Sequence, residues 1–462
     1  MKLYDTIAAV STPRGKGGIA IIRISGDDAL KIADRIFAPL SKVLPSAAEH
    51  SKALYGRIYA DEKRDIPIDD GIVTVFRAPR SFTGEDTVEI SCHGGLLVTE
   101  AVLTAVLSSG ARHAEAGEFS RRAFVNGKMA LSEAEALSNL LEAKNYSQLR
   151  LARSGLEGKL KERCDEIYNS IKRVLASLYA KIDYPDEELA DLSYEDMSSL
   201  LKKELSNVEA LLSTYKSGHA VAEGIKTVIC GRPNVGKSSL YNKILGKDAA
   251  IVTDLAGTTR DILDETATLG RVTVRLFDTA GLHEATDKVE EIGIKRAYGC
   301  IEDAELILAV FDASSPLTHE DEEMILRLSD KREHTVALLN KSELDAQIDK
   351  KRIASIFDEV IEISAKSEDG IAPLIKFAEE RFLDKALDID RDAIVFGARQ
   401  QASLIRAAEY LKSAVEIVEY GISADAAAVQ AECAMSALLE LDGRATSEDI
   451  IAEIFASFCV GK

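Results

Sequence analysis

Gly231-Arg232-Pro233-Asn234-Val235-Gly236-Lys237-Ser238 is the stretch that decides how the middle of this chain folds. It follows residues 225–230 (IKTVIC), a β-branched run, and precedes a stretch of helical rhythm. A glycine-bounded loop between a strand and a helix, ending in Gly-Lys-Ser, is the pattern of a phosphate loop. Its glycines let backbone N–H groups close around phosphate oxygens. Lys237 supplies a point charge to the β- and γ-phosphates, and the Ser238 hydroxyl suits Mg²⁺. Asn234, Val235, Gly236, Lys237, Ser238 and Ser239 are therefore the candidate ligands of a nucleoside triphosphate.

Outward from this loop the sequence alternates strand and helix. Residues 272–278, 305–313, 334–340 and 360–364 are short apolar runs, most of them separated by helical segments. That alternation predicts an open, mostly parallel sheet covered by helices. Ligands of such sheets bind at the carboxyl ends of the strands, where three further motifs fall. Asp278-Thr279-Ala280-Gly281 can reach the Mg²⁺ shell and the γ-phosphate. Asn340-Lys341-Ser342-Glu343 and Ser364-Ala365-Lys366 occupy the places of base-reading loops. Between the phosphate loop and Asp278 lies DLAGTTRD, residues 254–261, in which Thr259 is the candidate switch threonine and a second Mg²⁺ ligand.

In this order the motifs resemble those of the translation-factor-like GTPases. Two departures stand out. Glu343 replaces the usual aspartate, one methylene longer but able to make the same bonds to guanine. Leu282 follows Gly281, where many small GTPases carry a glutamine that orients water. Leucine cannot do so, leaving His283, Glu284 and Glu290 as candidates.

The flanking sequence has a different texture. Residues 1–120 read as mixed α and β, with strands at 18–23, 71–77 and 87–91 and a helix over 100–107. Residues 131–182 hold no proline and carry a helical apolar rhythm; Pro185 breaks it, and a second helical stretch runs to about Tyr215. Helical periodicity returns at 400–419 and 425–441, and Ser447 is a plausible N-cap for a final helix. Amphipathic helices on either side of the central segment need a partner face, so they are expected to pack on one another with the nucleotide domain inserted between them.

Composition narrows the class. A chain that is 46% hydrophobic and 29% charged suits a soluble protein, with no apolar run of the ~18 residues a membrane span needs and no signal-peptide core at the start. The expected location is cytoplasmic. The net charge of −20 argues against a general nucleic-acid coat, whose affinity comes from neutralising phosphates. The six cysteines are scattered, which argues against a disulfide framework or a structural zinc site.

The whole sequence is similar to the bacterial tRNA-modification GTPase family MnmE (TrmE). Asp5-Thr6-Ile7-Ala8-Ala9 and Arg23-Ile24-Ser25-Gly26 match its opening. Residues 81–89 (SFTGEDTVE) with His93-Gly94-Gly95 match a second motif. Gly117-Glu118-Phe119-Ser120, Arg122-Ala123-Phe124 and Asn126-Gly127-Lys128 match a third, and Cys459-Val460-Gly461-Lys462 matches its C-terminal signature. Glu115-Ala116 and Ala130 stand where the family commonly has Arg-Pro and Asp.

The resemblance implies a folate-binding and dimerisation domain (1–120), a helical domain (121–216 and 381–462) and an inserted Ras-like P-loop GTPase domain (217–380). It implies a homodimer through the N-terminal domains, a flavin (FAD) partner of the MnmG type, and addition of a carboxymethylaminomethyl or aminomethyl group to C5 of the wobble uridine of certain tRNAs. A reduced folate such as 5-formyl-tetrahydrofolate would sit near Arg23, Glu89, Lys128 and Lys462. K⁺ would replace an arginine finger, bound by Asn234, the backbone of Thr253 and Leu255, and Thr258, in a switch segment that also includes Asp254, Ala256 and Gly257. Glu290 aligns with the family's catalytic glutamate, and Cys459 is a candidate nucleophile or proton donor. Two competing readings are a ribosome-assembly GTPase switch and a free-standing folate-dependent transferase. The acidic composition opposes the first and the intact nucleotide motifs oppose the second.

Overall fold

The computed structural model describes residues 5–184, 192–246, 264–277, 301–456, 458 and 461. The chain forms two compact units, Met1–Ser138 with Leu439–Lys462, and Asn139–Leu438.

The first unit is built on seven strands: β1 (Ile7–Val10), β2 (Ile19–Ser25), β3 (Phe37–Pro39), β4 (Lys52–Tyr59), β5 (Pro67–Phe76), β6 (Thr87–His93) and β7 (Arg112–His113), in the order β3-β4-β5-β6-β2-β1-β7. Every pairing is antiparallel except β1 with β7. Alternation along the strands puts Ile22, Ile24, Val73, Val75, Val88 and Ile90 into one core, with Ile32 and Ile36 of helix Ala29–Ile36 and Val102 and Val106 of helix Leu96–Ser108. One face of the sheet is thus covered by helices, as period-2 strands with one apolar face require. β5 starts at Pro67 rather than at 71, because its acidic opening pairs with β4 through Arg57 and Asp70; propensity alone hides such residues. The chain's last helix, Glu448–Ala456, also belongs here. Its Phe455 and the following Phe458 pack with Leu131, Ala134 and Phe124.

In the second unit, helix Tyr194–Ala222 lies against Lys159–Asp183 and Ala398–Tyr420. Ser193 and Asp196 form a reciprocal capping box at its start, which satisfies two N–H groups a helix otherwise leaves open. The helix runs to Ala222, past the end near Tyr215 that the sequence suggests. Gly218 does not stop it, because its missing side chain makes room for the Val395 carbonyl.

The inserted sheet has six strands: β8 (Ile225–Cys230), β9 (Asp264–Leu269), β10 (Val272–Phe277), β11 (Leu306–Asp312), β12 (Thr335–Asn340) and β13 (Glu359–Glu362). Their order is β13-β12-β11-β8-β10-β9, all parallel except the edge strand β9. β11 and β12 are buried along their whole length, the mark of strands covered on both faces. This is the predicted α/β sheet; the β9–β10 hairpin is the addition. No described helix is long and apolar enough to cross a membrane.

Candidate functional site

The phosphate loop leaves β8, the central strand, between β11 and β10. Gly236 takes φ of 103° as the N-cap of helix Lys237–Leu245, a conformation an L side chain resists. A Cβ there would strike the Asn340 amide. Asn234 also sits in the left-handed region, at φ of 64°, which Asn tolerates better than most residues. The helix has no acidic residue in its first turn and no side-chain cap. Its N–H groups at Lys237, Ser238 and Ser239 are therefore a positive end suited to an anion. Ser238 and Ser239 are exposed, and Lys237 folds onto its own loop, donating to the Gly231 carbonyl at 2.7 Å and the Arg232 carbonyl at 2.9 Å. A lysine resting on loop carbonyls beside a helix N-terminus fits a phosphate chain and its Mg²⁺.

The loops at the carboxyl ends of β12 and β13 meet the phosphate loop through one buried side chain. Asn340 donates from Nδ2 to the Val235 carbonyl at 2.7 Å and accepts from the Ala365 N–H at 2.9 Å. It therefore joins the phosphate loop, the Asn340–Glu343 turn and the Ser364-Ala365-Lys366 loop. Ser364 is buried and takes the Ser367 N–H and hydroxyl. It also bonds the Glu343 carboxylate, which holds that acid below the usual carboxylate range. Glu343 is exposed at the edge of the turn, where its carboxylate can accept hydrogen bonds.

Arg232 faces away from phosphate chemistry. It bonds Asp321 at 3.1 Å and the Ser315 hydroxyl at 2.8 Å, tying the loop to helix His319–Leu328, where Asp321 completes a capping box with Thr318. Sequence reasoning passed over this residue and its partner, since nothing local to either suggests a contact 89 positions away.

In the N-terminal unit, Arg23 and Glu89 stand directly opposite on β2 and β6. Arg23 donates to Glu89 Oε1 from Nε at 2.9 Å and from Nη2 at 2.9 Å, and its guanidinium lies over the rings of Phe82 and Phe119. Lys128 donates to the Pro79 carbonyl at 3.0 Å and its stem runs beside Gly84. The loop carrying Phe82 therefore gathers Arg23, Glu89 and Lys128 around one part of the sheet. A carboxylate, two cations and aromatic rings are a donor set that suits a pterin with an acidic tail.

Four other family-matching residues, Asp5, Glu85, Glu118 and Arg122, share one ion network. Arg122 is buried and pairs with Asp5 at 2.7 Å, Glu118 at 3.0 Å and Glu85 at 3.1 Å. Arg112 bonds Asp5 and Glu118 as well.

Thr253, Asp254, Leu255, Ala256, Gly257, Thr258, Thr259, Asp278, Thr279, Ala280, Gly281, Glu290, Cys459 and Lys462 lie outside the described residues. Among the described residues, no cluster of His, Cys, Asp and Glu forms a metal site.

A mostly parallel sheet, a phosphate loop on its central strand and two strand-end loops tied to it by one asparagine are the arrangement of a P-loop GTPase domain. Comparison with known proteins makes this specific. Residues 6–128 match the family described as GTP-binding protein TrmE N-terminus, and residues 131–459 match the MnmE helical domain. The tRNA modification GTPase MnmE of Thermoanaerobacter pseudethanolicus is 38% identical over 463 residues, covering 100% of both chains. That of Lactobacillus helveticus is 40% identical over 465 residues, covering 99% of this chain and 98% of its own. The chain belongs to the MnmE family of tRNA-modification GTPases.

Proposed function

We propose that this protein hydrolyses GTP to drive modification of the wobble uridine of certain tRNAs in the cytoplasm, together with an FAD protein of the MnmG type. The group added at C5 is carboxymethylaminomethyl or aminomethyl. The observation that carries this reading is the Asn340 link between phosphate loop and base-reading loops, in a chain that matches the family over its whole length.

Ser238 and Thr259 would hold Mg²⁺, with Asp278 in its shell. Asn234, Thr253, Leu255 and Thr258 would hold K⁺, whose charge offsets that of the transition state. Glu290 would orient the attacking water, the role that Leu282 cannot fill. In the N-terminal unit, Arg23, Glu89, Lys128 and Lys462 would hold a reduced folate, which supplies a one-carbon unit when bound. The bond of Arg23 to Glu89 and its place over two phenyl rings support this reading.

The homodimer would use the N-terminal units. Tyr55 and Ile72, cross-strand neighbours on β4 and β5, are 55% and 43% exposed, and Ile19 on β2 is 67% exposed. Apolar side chains on an open sheet face favour a partner surface. The GTPase domains of the two chains would then meet when the switch segments order around γ-phosphate.

Reconstitution tests the reading. The protein, an MnmG-type partner, reduced folate, GTP and undermodified tRNA should together yield the C5-modified wobble uridine on nucleoside analysis. Omitting GTP, or replacing the protein with its Glu290→Ala form, should reduce product strongly. Equal product without GTP would refute the coupling.

A further inference from the structure

Asp312 ends β11, next to β12 and outside every motif discussed above. It is 8% exposed. Its Oδ2 takes the Lys341 ammonium at 2.5 Å, and its Oδ1 accepts the Ser314 N–H at 3.0 Å and the Ser314 hydroxyl at 2.6 Å. Burial works against the charge, but the Lys341 and Ser314 bonds outweigh it and hold the acid below its ordinary range.

Lys341 is the residue that needs holding. It adopts φ of 65°, a left-handed backbone that costs a side-chain-bearing residue free energy and persists only where neighbours fix it. It stands between Asn340, which ties the phosphate loop, and Glu343, the proposed base-reading acid. The turn closes with the Leu344 N–H on the Lys341 carbonyl at 2.9 Å and the Ser342 N–H on Ile363 at 3.1 Å. The Ala313 N–H on the Asn340 carbonyl, at 2.9 Å, joins it to the end of β11. Asp312 supplies a charged anchor for this strained turn from a neighbouring strand.

We propose that Asp312 is a positioning residue for base recognition, holding Lys341 so that the turn presents Glu343 to a guanine. This rests on the GTPase reading above and adds a residue to its base site. Ser314 acts with it by fixing the carboxylate rotamer.

The test is nucleotide binding by the full chain, with fluorescent GDP and IDP as probes; inosine lacks the 2-amino group that a carboxylate accepts. Asp312→Asn keeps the shape and loses the charge. It should bind GDP about tenfold more weakly and lose much of the GDP-over-IDP preference, because Glu343 is no longer held in place. Ser314→Ala should move both readouts in the same direction by less. Combining Asp312→Asn with Lys341→Met should weaken binding no further than Lys341→Met alone, since one interaction is being removed twice. Wild-type GDP affinity in Asp312→Asn would overturn the proposal. So would equal loss for GDP and IDP, or additive losses in the double variant. Should Asp312→Asn fail to fold, Ser314→Ala with an unchanged GDP-to-IDP ratio overturns it. Failure of the wild type to prefer GDP over IDP would instead refute the base-reading assignment of Glu343.

Discussion

Asn234 carries two demands at once. Its φ of 64° strains the backbone, and its amide stands at the phosphate loop where K⁺ is proposed. Alanine at this position keeps the strain and loses the amide oxygen. Wild-type turnover should be faster in KCl than in NaCl, and Asn234→Ala should turn over at one low rate in both. Equal wild-type rates in the two salts would rule out the ion. The buried Arg122 makes a different residue-scale prediction. Its buried guanidinium pairs with Asp5, Glu85 and Glu118 in the N-terminal unit, and Arg112 shares two of these acids. Removing one partner of a buried ion network typically costs about 3–5 kcal/mol, so Arg122→Met should lower unfolding stability at pH 7 by that order. The sign of the pH dependence follows from the acids. Asp5 is held low chiefly by its bond to Arg112; burial of Glu118 raises it, but its bonds to Arg112 and other groups bring it below its ordinary range. Both contribute stability above the unfolded carboxylate range, near pH 4, and lose it as pH falls through their depressed folded values. The gap between wild type and Arg122→Met, followed by denaturant melts, should therefore narrow from pH 6 to pH 3. A gap that stays constant would show that the network is not what titrates.

Helix Tyr194–Ala222 shows at the scale of an element what a sequence discloses and what it withholds. Its start is legible: Ser193 and Asp196 are three apart, ahead of apolar positions at helical spacing. Its end is not: the helical rhythm is read only to about Tyr215, and a glycine such as Gly218 is unfavourable in a helix interior. What overrides the local signal is tertiary. The Gly218 Cα faces the Val395 carbonyl and Ile394, where a Cβ would sit 2.8 Å from Ile394 Cγ2. Gly to Ala in an exposed helix interior stabilises by about 1 kcal/mol; here overpacking should reverse the sign, with a loss of about 1–3 kcal/mol. Thermal unfolding of Gly218→Ala decides it, and a raised Tm would show that the helix and the segment at Ile394 and Val395 are not in close contact there. The same logic explains the site. The phosphate loop and the ends of β12 and β13 were readable because each carries its own short motif beside an apolar run. Arg232 with Asp321, and Arg122 with Asp5, were not readable as pairs, since each spans a long stretch of chain and its partners carry no local pattern.

At the scale of the whole molecule, the two ends of the chain are held in the same unit. The Ser11 hydroxyl donates to the Gly461 carbonyl at 3.0 Å across 450 positions. Gly461 sits at φ of 98°, where a Cβ would collide with the Val10 carbonyl. Only glycine allows the tail to pass that close to β1. The nucleotide site lies in the other unit, residues 139–438, so the tail and the GTPase chemistry are separable by mutation. Gly461→Ala should detach the tail from β1 as effectively as deleting residues 459–462. In both variants GTP turnover should stay close to wild type, while binding of reduced folate weakens and tRNA modification in the reconstituted system is lost. Cys459→Ser leaves Gly461 in place, so it should spare folate binding and impair modification alone, as expected of a thiol near the reacting centre. The measurements are folate affinity by calorimetry and modified nucleoside by mass spectrometry. Normal modification by the truncated protein would make the tail a structural closure of the unit and remove Cys459 and Lys462 from the chemistry.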